Sequence, residues 1–458
     1  MSGKKPLRDA IKVTELSGLT YRAPRRLQAS IDGSTVGTLT ENAGLWTFTY
    51  APEWLASAER FELSPALPLQ AETIVDGASE RPVQWYFDNL LPEEMQRDLM
   101  AADAKLDKAD AFGLLAYYGE ESAGSLTLLR PDTTLAPGAV QALPDEVLSQ
   151  RIHGLPRTSL AAGAAKRMSL AGAQHKLAII ERDGNIYEPK GAEPSSHILK
   201  PDSTSTDYPH SVVNEWFVMT LARRMGLDVP DVERRYVPVP VFIIERFDRA
   251  VNASGIHRLH AIDACQLLNL AAVFKYREGS IETLKEIVEL CRSTLKTRMR
   301  LFDWIVFNVL TGNNDAHLKN LSFLVDNDGI ELAPHYDLLS TACYETRAYA
   351  EDRAQWPAHS ELAWPLLGVK HFSALSHAHL LDVGEALGMS RKAAMNQLNA
   401  QLNRIEGEAA ALLEEAIRDN ADWLQRLGSG DVFEGEVRCL RTVVHGVIKD
   451  MVRQLSPA

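Results

Sequence analysis

At 458 residues, with 45% hydrophobic and 24% charged positions, the chain has the makeup of a folded protein of two or three domains, which excludes a disordered or fibrous one. Its formal net charge of −13 excludes broad electrostatic binding to nucleic acid or anionic membrane, since those partners need a basic surface that releases their counterions. Cys265, Cys291, Cys343 and Cys439 form no CxxC pair, and no run of about 18 apolar residues appears; buried thiols in a reducing cytoplasm, with no membrane contact, are the expectation.

In chain order, residues 1–25 mix charges with few periodic apolar positions and read as a poorly ordered extension. Residues 26–130 form a β-rich N-terminal domain: LQASIDG, STVGTLTEN and LWTFTY alternate apolar and polar residues between Gly and Asn breaks. The run VQWYFDNLLPEEMQRDLMAADAKLDKADAFGLLAYYG then takes helical spacing, with Leu90, Met95 and Leu99 on one stripe and Asp103 at a cap. Residues 131–165, rich in Pro, Gly, Ala and Ser, predict a connector around one short helix, DEVLSQRI. Residues 166–255 carry the strand-like KLAIIERDGNIYEPK, SHILKP and VPVPVFIIERFD around the helical VVNEWFVMTLARRMGL. Residues 256–458 are mostly helical, broken by a hairpin, LSFLVD and GIELAP, around Asn327-Asp328-Gly329. The fold class is α+β in two lobes: a β-rich small lobe with a helical large lobe, behind an N-terminal β-rich domain.

The chemistry concentrates in TGNNDAHLKN. The preceding MRLFDWIVFNVL sets Phe302, Ile305 or Val306, and Val309 at helical spacing, a buried helix that fixes the loop after it. Phosphoryl transfer needs an acidic group to take the hydroxyl proton and a nearby oxygen ligand for Mg²⁺; Asp-x-x-x-x-Asn supplies both from one loop. Asp315 and Asn320 have that spacing, and Asp337 in HYDLLS follows a hairpin that returns it to the same place as a second Mg²⁺ ligand. Either segment alone is equally well a turn with a helix cap; the two in this order carry the reading. Upstream, MSLAGAQHKLAII reads as a phosphate loop, with Ala171 and Gly172 small enough for backbone N–H groups to approach an anion and Ser169 and Gln174 as side-chain donors, or as an ordinary turn. Lys200 in HILKP suits the α and β phosphates of ATP, and Glu215 on the next helix suits pairing with it; the alternatives are a solvated lysine and an exposed carboxylate. In FIIERFDR, Glu245 to Phe247 fits a hinge that reads an adenine edge, or a core strand ending in surface charges. His257, His260 and His317 lack metal-site spacing, and no GxSxG elbow appears.

SLAGAQHKLAII, HILKP, NEWFVMTLARRMGLDVP, IIERFDR, NDAHLKN and HYDLLS, with APEWLAS, ELSPALPLQ, FDNLLPE and ESAGSLTLL before them, resemble in order and spacing the HipA-like Ser/Thr kinases, the toxin subunits of bacterial toxin–antitoxin modules. The likeness runs from about Leu27 to near the C-terminus. It implies a fold related to protein kinases and phosphoinositide kinases, with Asp315 as catalytic base, Asn320 and Asp337 on Mg²⁺, Lys200 on the phosphates, Glu245 and Phe247 at the hinge and His317 near the nucleotide. Ser169 becomes an autophosphorylation site, where a dianion drawn to Arg167 holds the loop off ATP. His175 departs from the family pattern, which has an acidic residue there. The resemblance further implies a small helix-turn-helix antitoxin (HipB-like) as partner, contact with DNA only through it, and phosphorylation of an aminoacyl-tRNA synthetase, glutamate–tRNA ligase foremost. A catalytically silent corepressor and a small-molecule or lipid kinase are the alternatives.

Overall fold

The computed structural model describes residues 23–252, 255–428 and 430–457. The extension expected over residues 1–25 lies outside the described residues up to residue 22, whereas Arg25 already opens the first strand and pairs with Glu41 and Asp110, each at 2.7 Å.

The N-terminal sheet has strands β1 (Arg25–Ile31), β2 (Ser34–Asn42), β3 (Leu45–Tyr50), β4 (Ile74–Val75) and β5 (Leu126–Leu129) in the order β4-β3-β2-β1-β5. Alternation decides which face is inside: Leu27, Ala29, Val36, Leu39, Trp46, Phe48 and Tyr50 are all buried. Helices Pro82–Asp88 and Ala111–Tyr118 cover that face, with Phe48 against Phe87 and Trp46 edge-on to Phe112, and helix Glu94–Ala104 packs on Ala111–Tyr118. The single helical stripe expected here is corrected. The chain breaks at residues 90–93 around Pro92, whose ring does not fit a helix interior, and Met95 is 58% exposed. Asp103 lies within a helix rather than capping one; the cap is Asp110, whose carboxylate accepts from Gly113 N at 3.0 Å.

The second sheet contains β6 (Ala139–Ala142), β7 (Leu177–Arg182), β8 (Asn185–Lys190), β9 (His197–Pro201), β10 (Val232–Tyr236) and β11 (Pro240–Glu245), ordered β10-β11-β9-β7-β8-β6. The expected connector thus contributes a strand, β6, paired with β8, as well as the short helix Asp145–His153. Helix Ser211–Arg224 packs on β10 and β11. A hairpin of β12 (Arg249–Asn252) and β13 (Gly255–Arg258) leads to a three-stranded sheet of β14 (Ala261–Asp263), β15 (Ser322–Asp326) and β16 (Gly329–Leu332), the last two turning at Asn327-Asp328. Helices make up most of the remainder, among them the buried Thr294–Thr311 and the 37-residue Arg391–Leu427, capped by Ser390. Among the described residues, no helix is long and apolar enough to cross a membrane.

Two apolar cores result. One lies between the second sheet, with Ile179, Leu199 and Ile243, and the segment before it, with Leu148, Leu160 and Met168. The other runs unbroken from Leu27 in the N-terminal sheet to Leu455 in the last helix, so the N-terminal domain is welded to the helical lobe by burial. All four cysteines are buried free thiols.

Candidate active site

A cleft of about 780 Å³ lies where the second sheet, the N-terminal domain at Asn89, Glu93 and Gly124, and the helical lobe meet. Its floor is set by helix Thr294–Thr311, which ends at Gly312 with φ +65°. A Cβ there would approach Val447 Cγ1 to 2.6 Å and Ala342 Cβ to 2.8 Å, so glycine is required by both conformation and space. The following loop ties itself down. Asn313 Nδ2 donates to Asn308 Oδ1 (2.8 Å), Asp315 N to Asn313 Oδ1 (3.0 Å), and Asn320 Nδ2 to Asp315 O (2.9 Å). With its nitrogen engaged, Asn320 keeps Oδ1 as the atom able to bind a cation. Burial raises the Asp315 carboxyl above its ordinary value, against a hydrogen bond from the Tyr276 hydroxyl that favours the ionised form. Burial lowers His317 to about 4, a neutral ring with Nδ1 unpartnered.

Asp337 sits across the cleft at φ +54°. Its carboxylate pairs with Lys200 Nζ, which also donates to Glu215 Oε1 at 2.8 Å. The neighbouring Asn214 registers this helix against the Asp337 loop, donating to Ser340 O and accepting from Ser340 N, both at 2.9 Å. Burial works against every charge here, yet Lys200 and Lys176 hold Asp337 well below the usual carboxylate range, and Asp337 and Glu215 hold Lys200 above its own. Burial raises Glu215, which shares one ammonium with a second carboxylate. An ionised Asp337 and the Asn320 amide, lining one cleft, are oxygen donors of the kind that suits a hard divalent cation such as Mg²⁺.

The other wall is the segment at 168–176. Gly172 (φ +105°), Ala171 and Gln174 line the cleft. Ser169 does not: its hydroxyl is buried and donates to Leu90 O at 2.5 Å, while Arg167 stacks over the Tyr117 ring at 4.3 Å. Lys176 reaches back to Ala171 O (2.6 Å), and burial together with the nearby Lys200 lowers its amine to about 8. At the far end, Ile198, Ile244, Ile262 and Leu339 supply apolar walls, and Phe247 stacks on Tyr336 with ring centres 5.5 Å apart. The N–H groups of Glu245 and Arg246 are spent on Asp231 O and Ser196 O.

The structure therefore brings Asp315, Asn320, Asp337, Lys200, Glu215, His317, Glu245, Phe247, Ala171, Gly172 and Gln174 to one region and leaves Ser169 behind the wall. Sequence reasoning missed Lys176, although it stands inside the quoted SLAGAQHKLAII. It also missed the wall given by the N-terminal domain, where Glu93 holds Lys275 at 2.7 Å and Asn89 Oδ1 holds Lys319 at 2.8 Å. FDNLLPE carried the only signal for that wall, and its chemistry emerges only when residues far apart in the chain meet.

Two lobes around a nucleotide-sized cleft, with a lysine–glutamate pair in the small lobe and an Asp…Asn loop in the large one, define a kinase-like fold. Family models for the HipA N-terminal domain and the HipA-like C-terminal domain match residues 27–129 and 168–410, and the chain belongs to the HipA family. Y4mE of Sinorhizobium fredii is 37% identical over 329 residues, 68% of this chain and 76% of that protein. The serine/threonine-protein kinase toxin HipA of Shewanella oneidensis is 30% identical over 340 residues, 70% of this chain and 76% of that protein. The solved complex of Shewanella oneidensis MR-1 HipA with HipB and its operator DNA contains a chain that superposes with a TM-score of 0.72 at 25% identity, covering 94% of this chain and all of that one.

Proposed function

We propose that this chain is an ATP- and Mg²⁺-dependent Ser/Thr protein kinase that acts as the toxin of a toxin–antitoxin module. The observation that carries the reading is Lys200, held between Glu215 and Asp337 above the Asp315 and Asn320 loop. In this reading Asp337 and Asn320 hold Mg²⁺, which when bound neutralises charge building up on the phosphates. Lys200, seated by Glu215, and Lys176 hold phosphate oxygens, and the backbone at 171–174 closes over them. The base stacks among Ile198, Ile244 and Phe247. Asp315, raised by burial yet still the acceptor of a hydrogen bond, takes the proton of the attacking hydroxyl.

The Shewanella oneidensis HipA complex with HipB and operator DNA supports a HipB-like helix-turn-helix partner, and the acidic balance of −13 leaves DNA contact to that partner. An aminoacyl-tRNA synthetase, glutamate–tRNA ligase foremost, is the proposed acceptor, on family resemblance. Autophosphorylation at Ser169 is part of the proposal and carries a condition. The hydroxyl must first leave Leu90 O, and a dianion cannot return to a pocket lined by a carbonyl oxygen, so modification would hold the loop away from ATP.

The test is transfer from γ-labelled ATP with Mg²⁺ to the chain itself and to purified glutamate–tRNA ligase. Wild type is expected to label both, and Asp315→Asn to lose about 10²- to 10⁴-fold in rate, the range ascribed to a positioned base. Failure of the wild type to turn over ATP overturns the reading.

A further inference from the structure

Tyr276 is given no task by the steps above, yet its hydroxyl donates a hydrogen bond to Asp315 Oδ1. A phenol has one proton to give, so it occupies one carboxylate oxygen and leaves the other for an acceptor hydroxyl. The ring is set edge-on to His317, centroids 4.9 Å apart. Side chains that are 40% exposed ordinarily keep several rotamers; this one is fixed from behind. Lys275, the residue before it, accepts a backbone hydrogen bond from Leu318 N at 3.1 Å, which ties its main chain to the loop carrying Asp315. The Lys275 ammonium lies 5.4 Å from the Tyr276 ring centroid and is anchored on Glu93 Oε2 at 2.7 Å.

Glu93 belongs to the N-terminal domain, on the break at residues 90–93 that no helical pattern announces. Its backbone N–H donates to Gly172 O at 3.2 Å, so one residue touches both the phosphate-loop segment and the acceptor side of the cleft. Its other carboxylate oxygen stands 3.7 Å from Lys319 Nζ, itself held by Asn89 and Asp263. Burial alone would raise the Glu93 carboxyl, but Lys319 and Lys275 hold it below its ordinary value, a carboxylate kept ionised where it meets the two lysines.

We infer that Tyr276 is a positioning residue that orients Asp315, and that Glu93 of the N-terminal domain sets Tyr276 through Lys275. The inference rests on the kinase reading, since it assigns Asp315 the proton. It gives the N-terminal domain a share in the reaction geometry. A surface tyrosine in casual contact with a carboxylate would instead be dispensable, as would a surface Lys–Glu pair.

The experiment uses the full chain and measures ADP release from ATP and Mg²⁺, which counts transfer to protein and to water alike. Tyr276→Phe keeps the ring and removes the donor; kcat is expected to fall about tenfold, the scale of one hydrogen bond to a charged group, with KM for ATP within about twofold of wild type. Lys275→Met and Glu93→Gln should lower kcat in the same sense and by less, with Lys275→Arg restoring it. Equal thermal midpoints exclude a folding defect, and the Lys275 pair keeps the question answerable should Tyr276→Phe fail to fold. A Tyr276→Phe enzyme with unchanged or raised kcat overturns the inference and leaves the kinase reading standing. So does a change confined to KM. A wild type that releases no ADP overturns the kinase reading, and the inference with it.

Discussion

Residues 312–320 are tied to the helix they follow, to one another and to several distant residues, among them Lys275, Thr341, Trp364 and Asn89, whereas residues 168–172, on the opposite wall of the cleft, are fastened mainly to the N-terminal domain. In the first segment Asn313, the Asp315 backbone and Asn320 bond within five residues, while the Asp315 carboxylate reaches Tyr276. In the second, Ser169 N donates to Glu121 O (2.7 Å), Ser169 Oγ to Leu90 O, 79 residues away, and Gly172 O accepts from Glu93 N. A loop tied to its helix, to itself and to several other elements at once moves only by local unfolding. A loop fastened to another domain is released by breaking a few bonds at one interface, with the rest of the fold intact. The geometry thus pairs a fixed catalytic wall with a detachable phosphate wall.

The largest effect is expected from breaking the fixed wall at its root. Gly312→Ala puts a Cβ at φ +65° and against Val447 and Ala342. Strain and overpacking together should cost roughly 2–4 kcal/mol, seen as a lower urea midpoint with an unchanged m value. An unfolding free energy within about 0.5 kcal/mol of wild type would show that the loop tolerates rearrangement and would dissolve the contrast.

An intermediate effect attacks the domain that holds the detachable wall. His260, buried in the helical lobe's approach to the N-terminal domain, bonds Ser125 at 2.9 Å and Leu63 O at 3.0 Å. Burial lowers its folded value to about 4 from the ordinary 6.5. The unfolded chain therefore binds the extra proton first as pH falls. Stability from this group is complete above pH 6.5 and is lost as pH drops toward 4. Between pH 7 and pH 5 the loss should be on the order of 2 kcal/mol, and His260→Gln should remove that part of the slope in paired urea titrations. A variant as pH-dependent as wild type would assign the slope to other buried histidines, such as His335.

The same contrast governs what the sequence made visible. The buried helix before the catalytic loop could be read from Phe302, Ile305 and Val309, and the hairpin from Asn327-Asp328-Gly329, because each is encoded in neighbouring residues. The HipA-type fold was likewise within reach through ordered motifs. The helix break at residues 90–93 was not, since apolar spacing runs on through LLPEE and conceals the effect of Pro92. Strand β6 was invisible because all four of its residues are exposed, which erases any alternation. Lys176, Tyr276 and Glu93 gave no signal, as their meaning comes from partners tens of residues away.

The smallest effect is the most pointed about the detachable wall. Ser169→Ala deletes the hydroxyl that reaches Leu90 O but leaves the backbone bond to Glu121 O in place. One neutral hydrogen bond is worth about 1 kcal/mol, a minor loss against the global stability of a chain with this much core. If that bond is a fastening of the loop, the loss appears locally: amide exchange at residues 168–174 should quicken about fivefold, while amides at 312–320 keep the wild-type rate. Equal acceleration in both segments would mean that the two walls open together. In that case the cleft would move as one cooperative unit, and the phosphate wall could not be released alone by modification of Ser169.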